Sequence, residues 1–234
     1  MNRKRKTSGF TLIEIAIVLV IIGLLLGGIL KGQELLTSAR VRELIAQQDG
    51  IKAAYFGFQE RYRALPGDYA KATNSINHTS QDGNGNGRIE SGTTPDEAIL
   101  AWEHLSGASF LTGSYRYASI ESAATSPVNP YGVFQQLVYD GIYGAGTLAD
   151  PSALRHNIKS GSQIPVEIVA ETDRKIDDGM PNTGAFQFSR YQGNGSIAPS
   201  DGAAGSPACT SSTAAAGIWN TTNGSPNCGA ASLL

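Results

Sequence analysis

From Phe10 to Leu30 the chain runs 21 residues with Glu14 as the sole ionisable side chain. As a helix such a run is about 32 Å long, enough to cross the hydrocarbon core of a bilayer. Beyond it the pattern becomes periodic: Val41, Leu44, Gln48, Ile51, Tyr55, Phe58 and Tyr62 recur at spacings of three and four. That is one apolar stripe with a single polar slot, the mark of an amphipathic helix. No proline lies between Phe10 and Leu65, so both segments predict one continuous helix to about Arg63, stopped by Pro66-Gly67-Asp68. Gly23, Gly27, Gly28 and Gly32 interrupt the apolar half, each costing about 1 kcal/mol of helix propensity against alanine. Their small-xxx-small spacing suits close helix packing, and local melting is equally open to them.

After the stop, Thr94-Pro95-Asp96-Glu97 reads as a capping box with proline at the first helical position. Ala98, Ala101, Trp102 and Leu105 then fall on one face, until Gly107. Trp102 is expected in the core. Asp140-Gly141 between apolar residues suggests a hairpin, and Ile164 to Val169 and Ala185 to Tyr191 suggest further strands. A long helix followed by short strands predicts an α+β fold with a small antiparallel sheet. Residues 192 to 234 are rich in Gly, Ser, Ala, Asn and Pro, with Asp201 the sole charged side chain, so a floppy tail is expected.

Composition narrows the function classes. Of 234 residues, 18 are Lys or Arg, 20 are Asp or Glu and 16% are charged, which excludes a charge-driven disordered chain and gives no sign of a nucleic-acid binder. The average hides polarity: Arg3, Lys4, Arg5 and Lys6 place four cations and no acid in the first nine residues, and everything after is net acidic. The two ends face different environments. No His-x3-His pair, nucleophile elbow or Walker loop is present, so nothing marks an independent active site.

A secretory signal peptide shares the basic start and apolar core, but its core is shorter, about 7 to 15 residues, and ends at a small-x-small site. This run is longer, lacks Ala-x-Ala and passes directly into the amphipathic pattern. Glu14 is the sharper objection, since a carboxylate inside a spanning helix costs on the order of 3 kcal/mol even on permissive scales. Lys6-Thr7-Ser8-Gly9, then Phe10-Thr11-Leu12-Ile13-Glu14, then the unbroken aliphatic run, resembles the prepilin leader and processing site of type IV pilins and type II secretion pseudopilins. The resemblance covers roughly residues 1 to 65; beyond them it implies only a variable head.

The resemblance implies a pilin-like α+β fold. It comprises a leader over 1–9, a transmembrane and assembly helix over 10–30, its amphipathic continuation over 31–65, an extracytoplasmic head over 66–191 and a tail over 192–234. It implies cleavage between Gly9 and Phe10 by a prepilin peptidase that also methylates the Phe10 amine, with the basic leader held in the cytoplasm. Glu14 would then pair with the Phe10 amine of a neighbouring subunit, easing the burial of two charges only in the right axial register. The implied partners are that peptidase, sister subunits, the membrane, and an inner-membrane assembly platform with its ATPase. The chain would be a structural subunit, a minor pilin or pseudopilin, stored as a single-pass inner-membrane protein and assembled into a filament in the periplasm or at the cell surface. The alternative is a membrane-anchored extracytoplasmic binding module that never polymerises.

Within the head, Asp82, Asn84, Asn86 and Glu90 put oxygen side chains on alternate residues, with Gly87 at the turn position and Arg88 offering its carbonyl. This spacing matches much of an EF-hand-like calcium loop, although Thr93 stands where a bidentate Glu is usual; Asp96 or Glu97 could complete the shell. A plain Asn-Gly turn explains the same residues. Asp177 and Asp178, ahead of Gly179, could hold a second cation, but a structural turn is the simpler expectation. Cys209 and Cys228 are the two cysteines. In a head outside the cytoplasm they favour a disulfide, similar to the loop near the end of many pilins, worth about 3 kcal/mol by chain-entropy arguments. Trp219 inside that loop is expected to anchor it or to face a partner.

Overall fold

The computed structural model describes residues 11–144, 153–201, 208–211, 217–222 and 224–234. Its backbone is a long helix followed by a small four-stranded antiparallel sheet with three further helices, the α+β pilin-like layout. Gly9 and Phe10 lie outside the described residues, as does much of the Gly/Ser/Ala-rich segment before Trp219.

Helix α1 runs Leu12–Tyr62 over 51 residues. Two compact units divide it after Ala39. The first carries the apolar run, with Leu12, Leu19, Leu24 and Leu30 all more than 60% exposed. It is the one described helix long and apolar enough to cross a membrane. The second unit, Arg40–Leu234, is the head. There the stripe is buried as its period predicts: Val41, Leu44, Gln48, Ile51, Tyr55 and Phe58 all face inward, joined by Ala54.

Helix α2, Ala72–Ser75, is one turn. Helix α3, Glu97–Gly107, is buried on every side from Glu97 to Leu105, so Trp102 is a core residue. Its cap differs from the expectation. Asp96, not Thr94, is the N-cap, accepting from the backbone N–H of Ala98 and Ile99, and Pro95 precedes the helix across a cis peptide bond. Aspartate is the stronger capping group here because its carboxylate reaches both free N–H groups, which releases Glu97 for another partner.

Strands β1 (Gln136–Asp140), β2 (Arg155–Lys159), β3 (Phe186–Phe188) and β4 (Ala230–Leu233) form a sheet in the order β1-β2-β4-β3. β1 pairs with β2 in the register Leu137 to Ile158, β2 with β4 as Ile158 to Ser232, and β3 with β4 as Gln187 to Ala231. Asp140-Gly141 ends β1 rather than making a two-residue hairpin, because the chain pairs with β2 only from Arg155. The segment expected as a strand from Ile164 is instead mostly helix α4, Val166–Ile176. Val166, Val169, Ala170 and Asp173 are buried at helical spacing. The tail, expected to be floppy, supplies β4 to the inside of the sheet. Gly229 permits this, since a Cβ there would lie 2.6 Å from the carbonyl of Gly161.

Two clusters form the core of the head. In one, Ile51, Tyr55 and Phe58 of α1 meet Trp102 and Leu105 of α3, Leu137 of β1 and Ile158 of β2. In the other, Val41 and Leu44 meet Val166 and Val169 of α4, Phe186 and Phe188 of β3, Trp219 and the cystine.

Candidate functional site

At the start of α1, Thr11 and Glu14 form a reciprocal capping box. The backbone N–H and hydroxyl of Thr11 donate to Oε2 of Glu14 at 2.7 and 2.8 Å, and the Glu14 N–H reaches the Thr11 hydroxyl at 3.3 Å. Two otherwise free donors are satisfied by a carboxylate at the positive end of the helix dipole. Glu14 is fully side-exposed in this chain, and the aliphatic side chains following it are exposed as well. An exposed apolar helix of this length fits a membrane environment, in which a carboxylate in the first turn is costly. The expected Phe10 partner lies outside the described residues.

The Asp82 loop brings together some of the oxygens read from the sequence and diverts others. Asn84 and Asn86 both direct their side-chain amides to Oε2 of Glu90, at 3.4 and 2.9 Å. Each also accepts at Oδ1 from the backbone two residues on, Asn84 from Asn86 and Asn86 from Arg88. Asp82 turns away, its carboxylate accepting from the N–H and hydroxyl of Thr73 at 2.8 and 3.0 Å. The Arg88 guanidinium lies 5.4 Å over the Tyr139 ring. Glu97 accepts from the backbone N–H of Asn84 and of Glu90, at 2.9 and 3.1 Å.

Asp68 was not singled out by spacing, yet it organises the same loop. Its carboxylate accepts from the N–H of Asn86 and Gly87 at 2.9 and 2.8 Å, and its carbonyl from Gly85. Burial pushes the carboxyls of Asp68 and Glu97 up, the N–H groups pull them back, and their mutual charge with Glu90 raises them further. The loop therefore wraps backbone N–H groups around two buried carboxylates. Asn84 and Asn86 thus turn amide N–H groups toward Glu90 and their oxygens toward the backbone, while Asp82 and Glu97 face other protein donors. The missed signal was an acid directly after the Pro66-Gly67 stop, within reach of a glycine-rich loop.

Where α3 passes this loop, His104 accepts the N–H of Gly67 at Nδ1, 2.9 Å, and its Nε2 lies 3.2 Å from the Gln81 carbonyl. Burial holds its pKa down at about 4, so the ring is neutral and bridges the helix stop to the loop.

Cys209 and Cys228 are joined in a disulfide. Trp219 between them is buried and donates from Nε1 to Asp173 of α4. Asp173, Asp177 and Asp178 bring carboxylate oxygens within 4.8 Å of one another, but each has its own protein donors. Asp177 takes the N–H groups of Ala185 and Phe186; Asp178 takes the Met180 N–H and the Thr183 hydroxyl. These are turn-forming bonds, the simpler of the two readings given above.

Comparison with known families adds one finding. Residues 4–30 match the prokaryotic N-terminal methylation motif, the prepilin signal of type IV pilins and pseudopilins. The match covers the leader from Lys4, with Gly9, Phe10, Glu14 and the whole apolar run. No curated protein and no solved structure matches the chain.

Proposed function

We propose that this chain is a type IV pilin-like structural subunit, a minor pilin or pseudopilin, that is cleaved after Gly9, methylated at Phe10 and assembled through α1 into a filament. The observation that carries the reading is the methylation motif over residues 4–30, whose apolar run forms the exposed first part of the 51-residue helix that opens on the Thr11–Glu14 box. The motif implies processing by the prepilin peptidase, and the single apolar helix fits an inner-membrane anchor with an extracytoplasmic head. Sister subunits and an assembly platform with its ATPase complete the proposal.

Glu14 is the register group in this reading. In lipid its charge is costly, and the Thr11 box satisfies only one of its oxygens among the described residues. The second oxygen is left for a cation, which the methylated amine of a neighbouring Phe10 supplies, since methylation retains the charge. Side by side in a filament, the exposed aliphatic faces exchange lipid for one another. The role is assembly and display, and catalysis has no part in it.

The test is Glu14→Ala in the native host. The variant is expected to be cleaved and to reach the membrane but to be missing from sheared or extracted filaments. Normal incorporation would deny Glu14 its register role, and absence of the parent chain itself from filaments would favour the anchored binding module that does not polymerise.

Calcium enters the proposal as a stabiliser of the 82–97 loop, held by Glu90 and by Asn84 and Asn86 once their side-chain oxygens turn from the backbone N–H groups they now accept, with Asp82 able to join by leaving Thr73. So few carboxylates suit affinities on the order of 0.1 to 1 mM, the extracellular range. The full-length protein in detergent should melt higher in millimolar calcium than in chelator, and Glu90→Gln should lose the difference. Equal melting would leave the loop held by Asp68 and Glu97 alone.

A further inference from the structure

Where α1 ends, the head carries an open groove of about 690 Å³, lined by Tyr62, Arg63, Lys71 and His156 among others, a volume typical of small-ligand sites. We propose that this groove binds an acidic saccharide, a sugar ring carrying a carboxylate. The inference is independent of filament assembly and stands equally for a chain that is only anchored.

The charge comes first. Arg63 and Lys71 are exposed and form no ion pair among the described residues. The one acid in the lining, Asp68, is already taken by the N–H groups of Asn86 and Gly87. Two unpaired cations in one lining fit an anion. Arg63 is also the residue that ends α1, its N–H bonded to the Gln59 carbonyl at 2.9 Å. It holds φ 54, the left-handed conformation for which helices commonly use glycine. A side chain kept where a helix end usually has none points to use of that side chain.

The aromatic geometry then selects among anions. Arg61 lies 5.2 Å over the Tyr62 ring, and Phe58 and Tyr69 pack against it at 4.7 and 5.6 Å. Three side chains already engage the Tyr62 ring, which makes it a poor platform for a nucleic-acid base. What the lining offers is the phenols of Tyr62 and Tyr69, the Gln59 amide and the His156 ring. A hydroxyl-rich, non-planar ring matches these groups, and its carboxylate matches Arg63 and Lys71.

The experiment is calorimetric titration of the full-length protein in detergent micelles with a short oligogalacturonate. Saturable binding is expected, with none for a neutral maltooligosaccharide of equal length. Arg63→Gln and Lys71→Gln should each weaken it about tenfold, the loss of one charge-assisted hydrogen bond, while Arg61→Gln should leave it unchanged. All three positions are exposed, and unaltered thermal melting confirms intact folds. No binding, equal binding of the neutral sugar, or equal weakening by Arg61→Gln would overturn the assignment. So would inorganic phosphate binding as well as the oligogalacturonate, or single-stranded DNA binding more tightly.

Discussion

Trp219 Nε1 donates to Oδ2 of Asp173 at 2.6 Å, and both residues are buried. This bond fastens the disulfide loop to α4 and fixes the Trp219 ring, which meets Phe188 edge-on at 6.5 Å. A tail of small polar residues cannot bury enough apolar surface to order itself. The covalent link and this anchor order it and deliver Ala230–Leu233 to the sheet. Trp219→Phe keeps an aromatic side chain, smaller than the indole, and removes the donor, leaving Asp173 a weaker shell. Denaturant titration should show a loss of about 1 to 3 kcal/mol; an unchanged midpoint would deny the anchor.

Between about pH 4 and 6.5 two buried groups should tilt the stability profile in opposite directions. Burial lowers His104 from 6.5 to about 4, so the unfolded chain takes up the proton first and stability is lost as pH falls from about 6.5 to 4. Burial raises Asp173 from 3.8 to about 6, so there stability is lost as pH rises through that interval. Relative to the parent, His104→Gln should gain stability with falling pH and Asp173→Asn with rising pH. Thermal melts at several pH values check both signs, and parallel profiles would contradict the burial argument.

Glycines in the loop region should differ by their surroundings. Gly67 has φ 86 and a Cβ there would sit 2.3 Å from the Glu97 carbonyl; Gly83 would meet the Gly67 carbonyl at 2.2 Å. Gly87 has φ 82 but faces open space. Gly87→Ala should cost about 1 kcal/mol, the conformational strain alone, while Gly67→Ala and Gly83→Ala should cost several times more or prevent folding. Equal costs would mean that the Pro66-Gly67 stop and the loop do not interlock.

Gln48 occupies the polar slot of the stripe, with both amide atoms buried and without partners among the described residues. Gln48→Leu should therefore stabilise the head by about 1 to 3 kcal/mol, the desolvation cost of an unpaired amide. Destabilisation would show that the slot has a polar partner in the assembled state of the head.

The long helix was legible because its period is sustained over many turns and its burial follows the stripe residue by residue. Helix α4 was not, because Ile164 to Val169 is too short an apolar run to separate the two periods. Extending the window to Ile176 and reading Pro165 as a start would have given the helix. Strand β4 carries Ala230, Ala231 and Ser232, which have low strand propensity. Its place comes from the lack of bulk, which lets it lie between β2 and β3, with Ala230 and Ser232 opposite Phe188 and Phe186. The Asn84 and Asn86 turn was visible from alternation, whereas Asp68 and Glu97 act through backbone N–H groups, a pairing that only the folded loop brings together.

The account rests on what happens at Gly9 and Phe10. The most direct test is the intact mass and N-terminal residue of the protein extracted from the membrane of its native host. A chain beginning at N-methylated Phe10 is the expected result. A chain beginning at Met1, or cut after Leu30, would contradict prepilin processing and leave a plain anchor or a secreted domain.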